Sequence, residues 1–87
     1  RVIAAAGADW KLQRARDLGA HEVVNYTTST LSEEVLRLTD GDGVDVVFEN
    51  LSVPELWQES LASAAKRGRI VTCGALGGGS VETNMRR

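Results

Sequence analysis

Arg1-Val2-Ile3-Ala4-Ala5-Ala6-Gly7 is an apolar run closed by glycine, and Gly19-Ala20-His21-Glu22-Val23-Val24-Asn25-Tyr26 leads into a second short run. Val2 to Ala6 is short and continuously apolar, as a parallel strand covered on both faces should be. Between the two runs Asp9 can cap a helix reaching to about Leu18, with Leu12, Ala15 and Leu18 as its apolar stripe. Gly19 supplies the stop. Strand, helix and strand in immediate succession form one crossover unit, and that reading decides the fold.

The pattern then recurs. Thr30-Leu31-Ser32-Glu33 has the spacing of a capping box and opens a helix whose Leu31, Val35 and Leu38 share one face. Asp40-Gly41-Asp42-Gly43 is the clearest turn, and Val44-Asp45-Val46-Val47-Phe48 behind it is the strongest strand. Ser52-Val53-Pro54-Glu55 repeats the capping chemistry with proline in the first turn. Trp57, Leu61 and Ala64 line the helix that follows, Gly68 ends it, and Arg69 to Gly74 reads as a fourth strand. Gly77-Gly78-Gly79-Ser80 reads as a flexible stretch, and residues 81–87 have no firm periodicity. Strands alternating with helices imply the α/β class: a parallel sheet with helices on both faces, in a single domain spanning 1–87.

Composition excludes several function classes. A hydrophobic content of 43% beside 25% charged residues rules out wholesale disorder. The net charge of -2 and the scattered basic residues offer no general attraction to nucleic acid or anionic membranes. No apolar run approaches the length that spans a bilayer, and no signal-peptide pattern opens the sequence. The single Cys73 excludes an internal disulfide and a local multi-cysteine metal cluster, so the cytoplasm is the expected compartment.

Several phrases, in order and spacing, resemble the cofactor domain of the medium-chain dehydrogenase/reductase family, which includes zinc-containing alcohol dehydrogenases and quinone oxidoreductases. They are residues 2–7 with Lys11, Ala15-Arg16-Asp17-Leu18-Gly19-Ala20 leading to Val24-Asn25-Tyr26, Gly43 to Asn50, and Gly68 to Ala75. The resemblance implies an NAD(P)-dependent oxidoreductase whose parent transfers hydride between NADP(H) and a carbonyl, alcohol or enone. It also implies a truncated Rossmann fold, because the first strand and the G-x-G-x-x-G turn would lie before Arg1. The parent's zinc ligands, where it has them, would belong to a catalytic domain outside this chain. In the family's sheet the missing strand is central, between the strands at 2–6 and 44–48. Two repairs are then open: closure to a 2-1-3-4 order, expected if the chain folds alone, or filling by a strand from a second copy or the parent. A stand-alone α/β interaction module, completed by a partner or as a homo-oligomer, is the alternative to the enzyme reading.

What the resemblance implies for a nicotinamide dinucleotide is specific by residue. NAD-dependent relatives hold the adenosine ribose with a carboxylate at the first strand's tip, where this chain has Ala6 followed by Gly7. Lys11, one helical turn on, could pair with a 2'-phosphate, and Tyr26 resembles a tyrosine lying against that phosphate in quinone oxidoreductase-like members. This favours NADP, with NAD as the other option. Asn50, Gly74 and Ala75 follow strands three and four, beside the nicotinamide and its ribose in the family. The plain alternative is a solvated helix lysine, a strand-ending tyrosine and simple turns at Asn50 and Gly74. Asp9 could serve the ribose instead of capping its helix. His21 reads as a surface histidine, Cys73 as a small buried hydrophobe and Glu49 as a strand end without a placed partner. The glycine run at 77–79 lacks the lysine-serine/threonine ending of a phosphate loop.

Overall fold

Seven elements alternate along the chain: β1 (Ile3–Ala6), α1 (Asp9–Asp17), β2 (Glu22–Asn25), α2 (Leu31–Leu38), β3 (Val44–Glu49), α3 (Pro54–Ser63) and β4 (Ala64–Thr72). This computed structural model describes residues 1–50 and 54–72. The expected cap at Ser52, the Cys73 environment, the Gly77–Gly79 stretch and the end of the fourth strand at Gly74 lie outside the described residues.

The strands pair in parallel, as expected, but as two two-stranded sheets. β1 runs beside β2 from Ile3 opposite Glu22 to Ala6 opposite Asn25. β3 runs beside β4, ending with Glu49 opposite Thr72. Closure to the order 2-1-3-4 does not occur: β1 and β3 are not hydrogen-bonded neighbours. Instead a cleft of about 590 Å³ separates them, walled by Ile3 and Ala5 of β1 and by β3, with Val35, Leu56 and Ser60 among its lining. α2 packs on β2 and on α3, while α3 packs on β3 and β4, so the α2–α3 contact joins the two halves.

α1 departs from expectation at both ends. Its N-cap is Ala8, which makes no side-chain cap, and Asp9 is the first helical residue. Leu12 is buried, but Leu18 is 84% exposed. At ~100° per residue Leu18 lies about 120° around the helix from Leu12, off the buried stripe. Gly19 ends the helix as expected, with φ +113° and its N–H donating to Arg16 O at 3.0 Å.

α2 begins where the capping box placed it, with Thr30 as N-cap, yet Thr30 makes no side-chain cap bond. The cap comes from the neighbouring helix. Glu59 Oε1 accepts the Ser32 N–H and the Ser32 hydroxyl, each at 2.9 Å. This satisfies a first-turn donor with a charged acceptor and ties α2 to α3. The turn at 40–43 uses left-handed backbone at Asp40, Gly41 and Gly43, and the Thr39 hydroxyl accepts the Gly43 N–H at 2.9 Å.

α3 stops at Ser63, not before Gly68. Ala64 leaves the helix to pair with Val44, Arg67 takes φ +65°, and the next β3 residue in register, Val46, faces Arg69. The intervening residues form a bulge within β4. The buried residues of α3 are Ser60 and Ser63, whereas Trp57 and Leu61 are half-buried. Small side chains let the helix approach the cleft closely. Val46, Phe48 and Val71 stand exposed on β3 and β4. No described helix is long and apolar enough to cross a membrane.

Arg1 and Glu22 clamp the starts of β1 and β2: Arg1 Nε donates to both carboxylate oxygens, at 2.9 and 3.1 Å. The guanidinium hydrogen bond holds the Glu22 carboxyl below its ordinary value of 4.5. A lowered folded-state pKa stabilises fully above the unfolded value, and that contribution is lost as pH falls through the folded value. Arg1→Ala should therefore raise the Glu22 carboxyl back toward 4.5, read by an NMR pH titration of its side chain. An unmoved titration would show that the pair does not form. His21 is exposed, as expected, and its Nδ1 accepts the Val2 N–H at 2.9 Å, which holds the chain entering β1 against the chain entering β2.

Candidate functional site

The two parallel strands β1 and β2 end side by side, and their ends build the candidate site. Ala6 O accepts the Tyr26 N–H at 3.2 Å, drawing the chain after β2 across the tip of β1. The Tyr26 ring then lies on Gly7. A Cβ at Gly7 would stand 3.2 Å from Tyr26 Oη and 3.3 Å from Cε1. Glycine allows this close approach, and a side chain here would have to shift the phenol by a few tenths of an ångström. Ala6, Gly7 and Tyr26 are thus brought together.

Lys11 lies in the first turn of α1, exposed, with its ammonium 5.6 Å from the Trp10 ring centroid. The contact is a cation–π arrangement at an exposed site, worth about 0.5–1 kcal/mol. It leaves the charge exposed on the first turn of α1.

Asn25 was missed by sequence reading. Its Nδ2 donates to Asp9 Oδ1 at 3.0 Å, and its Oδ1 accepts the Thr27 N–H at 2.9 Å. The signal was present: an asparagine at a strand end, two residues before a threonine, is an Asx-turn pattern. Asp9 serves this bond and not the helix cap assigned to it.

Asn50 follows β3 on the other wall of the cleft, and both Asn50 and Tyr26 line that space. Glu49 beside it is buried, with 7% of its surface exposed. Gly74 and Ala75 lie outside the described residues, so the fourth-strand loop is not placed. Among the described residues no three His, Cys, Asp or Glu side chains gather as a metal ion would need.

Comparison with known proteins gives this geometry its relatives. The sequence is 42% identical to quinone oxidoreductase-like protein 2 of Bos taurus over 87 residues, 98% of this chain and 25% of the relative. It is 33% identical to a quinone oxidoreductase of Salmonella typhimurium over 85 residues, covering 98% and 26%. The crystal structure of a quinone oxidoreductase from Pseudomonas syringae pv. Tomato DC3000 superposes with a TM-score of 0.86 at 32% identity, again over 98% and 26%. The chain thus spans about a quarter of the length of the curated relatives it matches. The resemblance read from the phrases at 2–7, 15–26, 43–50 and 68–75 holds, and with residues 1–87 all matched, the chain belongs to the zinc-binding dehydrogenase family.

Proposed function

We propose that residues 1–87 form part of the dinucleotide-binding domain of an oxidoreductase that transfers hydride between NADP(H) and a carbonyl, alcohol or enone. The observation that carries this is the tip of β1: the Tyr26 ring lies on Gly7, and the strand ends on Ala6, where a carboxylate would hold the ribose hydroxyls of NAD. Lys11 supplies the positive charge for a 2'-phosphate, and the Tyr26 phenol supplies a hydrogen-bonding edge. NAD remains the weaker option.

Two more features support the reading. A cleft lined by β1 and β3 stands in place of pairing between them, and in a Rossmann sheet the strand at that position carries the glycine-rich turn. The two crossover units run outward from the cleft in opposite directions, and right-handed connections then put α1 and α3 on opposite faces. In this arrangement Asn50, and by sequence Gly74 and Ala75, border the nicotinamide end, mostly through backbone groups. The cofactor, when bound, supplies or takes up the hydride. The residues of this chain bind and orient it. The described residues do not fit a zinc site, and no role here is assigned to one.

The test is calorimetric titration of NADPH and NADH into the full-length protein. NADPH should bind more tightly, and Lys11→Ala should weaken it about tenfold or more, the loss of one charge-assisted hydrogen bond, with NADH unchanged. The 87-residue chain by itself should bind either cofactor far more weakly, since its sequence holds no G-x-G-x-x-G turn for the pyrophosphate. A folded full-length protein that binds neither cofactor would overturn the proposal. It would favour the alternative, an interaction module, for which the open edges of β1 and β3 and the exposed Val46, Phe48 and Val71 speak.

A further inference from the structure

Asn25 bridges three pieces of the candidate site from the end of β2. One side of its amide accepts from Thr27, through the backbone N–H at 2.9 Å and through the hydroxyl. The other side donates to Asp9 Oδ1 at 3.0 Å. The amide cannot be turned over. A backbone N–H only donates, so the oxygen must face Thr27 and the NH2 must face the carboxylate, which only accepts when ionised.

Asp9 is the one acidic residue in the first turn of α1, two positions beyond Gly7. A carboxylate near this strand tip is what accepts a ribose 2'-hydroxyl. The same carboxylate would repel a 2'-phosphate. Its orientation therefore bears directly on which dinucleotide is accepted, and the Asn25 amide sets that orientation by drawing it to the β2 side.

We propose that Asn25 is a positioning residue for cofactor choice: by holding Asp9 against β2 it keeps the carboxylate from the ribose and leaves the edge beside Lys11 to a 2'-phosphate. This rests on the NADP reading above. Loss of the amide donor lets the Asp9 carboxylate rotate toward the ribose. NADH then gains an acceptor for its 2'-hydroxyl, and NADPH meets a negative charge.

The experiment is a double-mutant cycle on the full-length protein, with NADPH and NADH dissociation constants measured for wild type, Asp9→Ala, Asn25→Ala and the double variant. Asn25→Ala should lower the NADPH-over-NADH preference about tenfold, roughly one hydrogen bond to a charged group. Asp9→Ala should keep or increase the preference, and the double variant should match Asp9→Ala. Asn25→Asp, which keeps acceptors for Thr27 but faces Asp9 with a like charge, should lower the preference at least as far. An unchanged ratio in both Asn25 variants overturns the inference. So does a double variant that loses preference as fully as Asn25→Ala, because Asn25 would then act through its turn alone. The cofactor reading fails separately: its mark is a wild type that favours NADH with Lys11→Ala without effect, and the inference falls with it.

Discussion

Gly43→Ala is expected to cost about 2–5 kcal/mol of folding stability, the sum of a left-handed backbone penalty of roughly 1–2 kcal/mol and an overpacking term of roughly 1–3 kcal/mol. Gly43 sits at φ +81°, a conformation that disfavours a side chain in any surroundings. A Cβ there would also stand 2.8 Å from Ser63 O and 2.9 Å from both Ala64 C and Ala65 N. All three are backbone atoms at the junction of α3 and β4, so no rotamer change can relieve them. Movement would have to break the pairing of Val44 with Ala64 that starts the second sheet. Gly41 provides the control: its φ is +86°, but a Cβ would meet nothing within 4 Å. Gly41→Ala should carry only the backbone penalty. Chemical denaturation of both variants separates the two contributions, and equal losses would show that the close approach at Gly43 does not exist.

Leu12→Ala is expected to remove about 2–4 kcal/mol and much of the cofactor affinity together. Leu12 is the buried residue of α1, at 6% exposure, in a helix of nine residues. A helix this short has little stability of its own and stays in place through its packed face. It packs on β1 and β2. Asp9 and Lys11 both ride on its first turn, so a loosened helix blurs the position of each. Leu12→Met keeps the volume and should cost under about 1.5 kcal/mol with binding retained. Full stability in Leu12→Ala, by thermal melt, would mean that the helix is anchored elsewhere. Lost stability with undiminished NADPH binding would separate α1 from the site.

The alternation of elements was legible because the first three strands hold short apolar runs and each helix has a stop or a cap signal nearby. Gly19 and the turn at 40–43 were read correctly, since glycine at left-handed backbone leaves a local mark. What escaped was decided by tertiary contacts. Ala64-Ala65-Lys66-Arg67 favours helix by propensity, yet the chain there is recruited to pair with β3, and pairing overrides propensity. The cap on Ser32 comes from Glu59, 27 positions away, and no local pattern announces it. In the candidate site, Ala6, Gly7 and Tyr26 were named from the family resemblance, and the neighbouring ends of β1 and β2 bring them together. The bond from Asn25 to Asp9 could not be inferred, because it depends on how far two neighbouring ends approach.

The separation into two sheets also governs how the chain acquires its structure. β1-α1-β2 occupies residues 3–25 and β3-α3-β4 occupies 44–72, so each sheet closes over short stretches of sequence. Contacts of short separation form early, because little loop entropy must be lost to make them. Each half therefore keeps its strand pairing local, and neither sheet takes a strand from the other. α2, in contact with β2 on one side and α3 on the other, is the described helix through which the halves find their relative place.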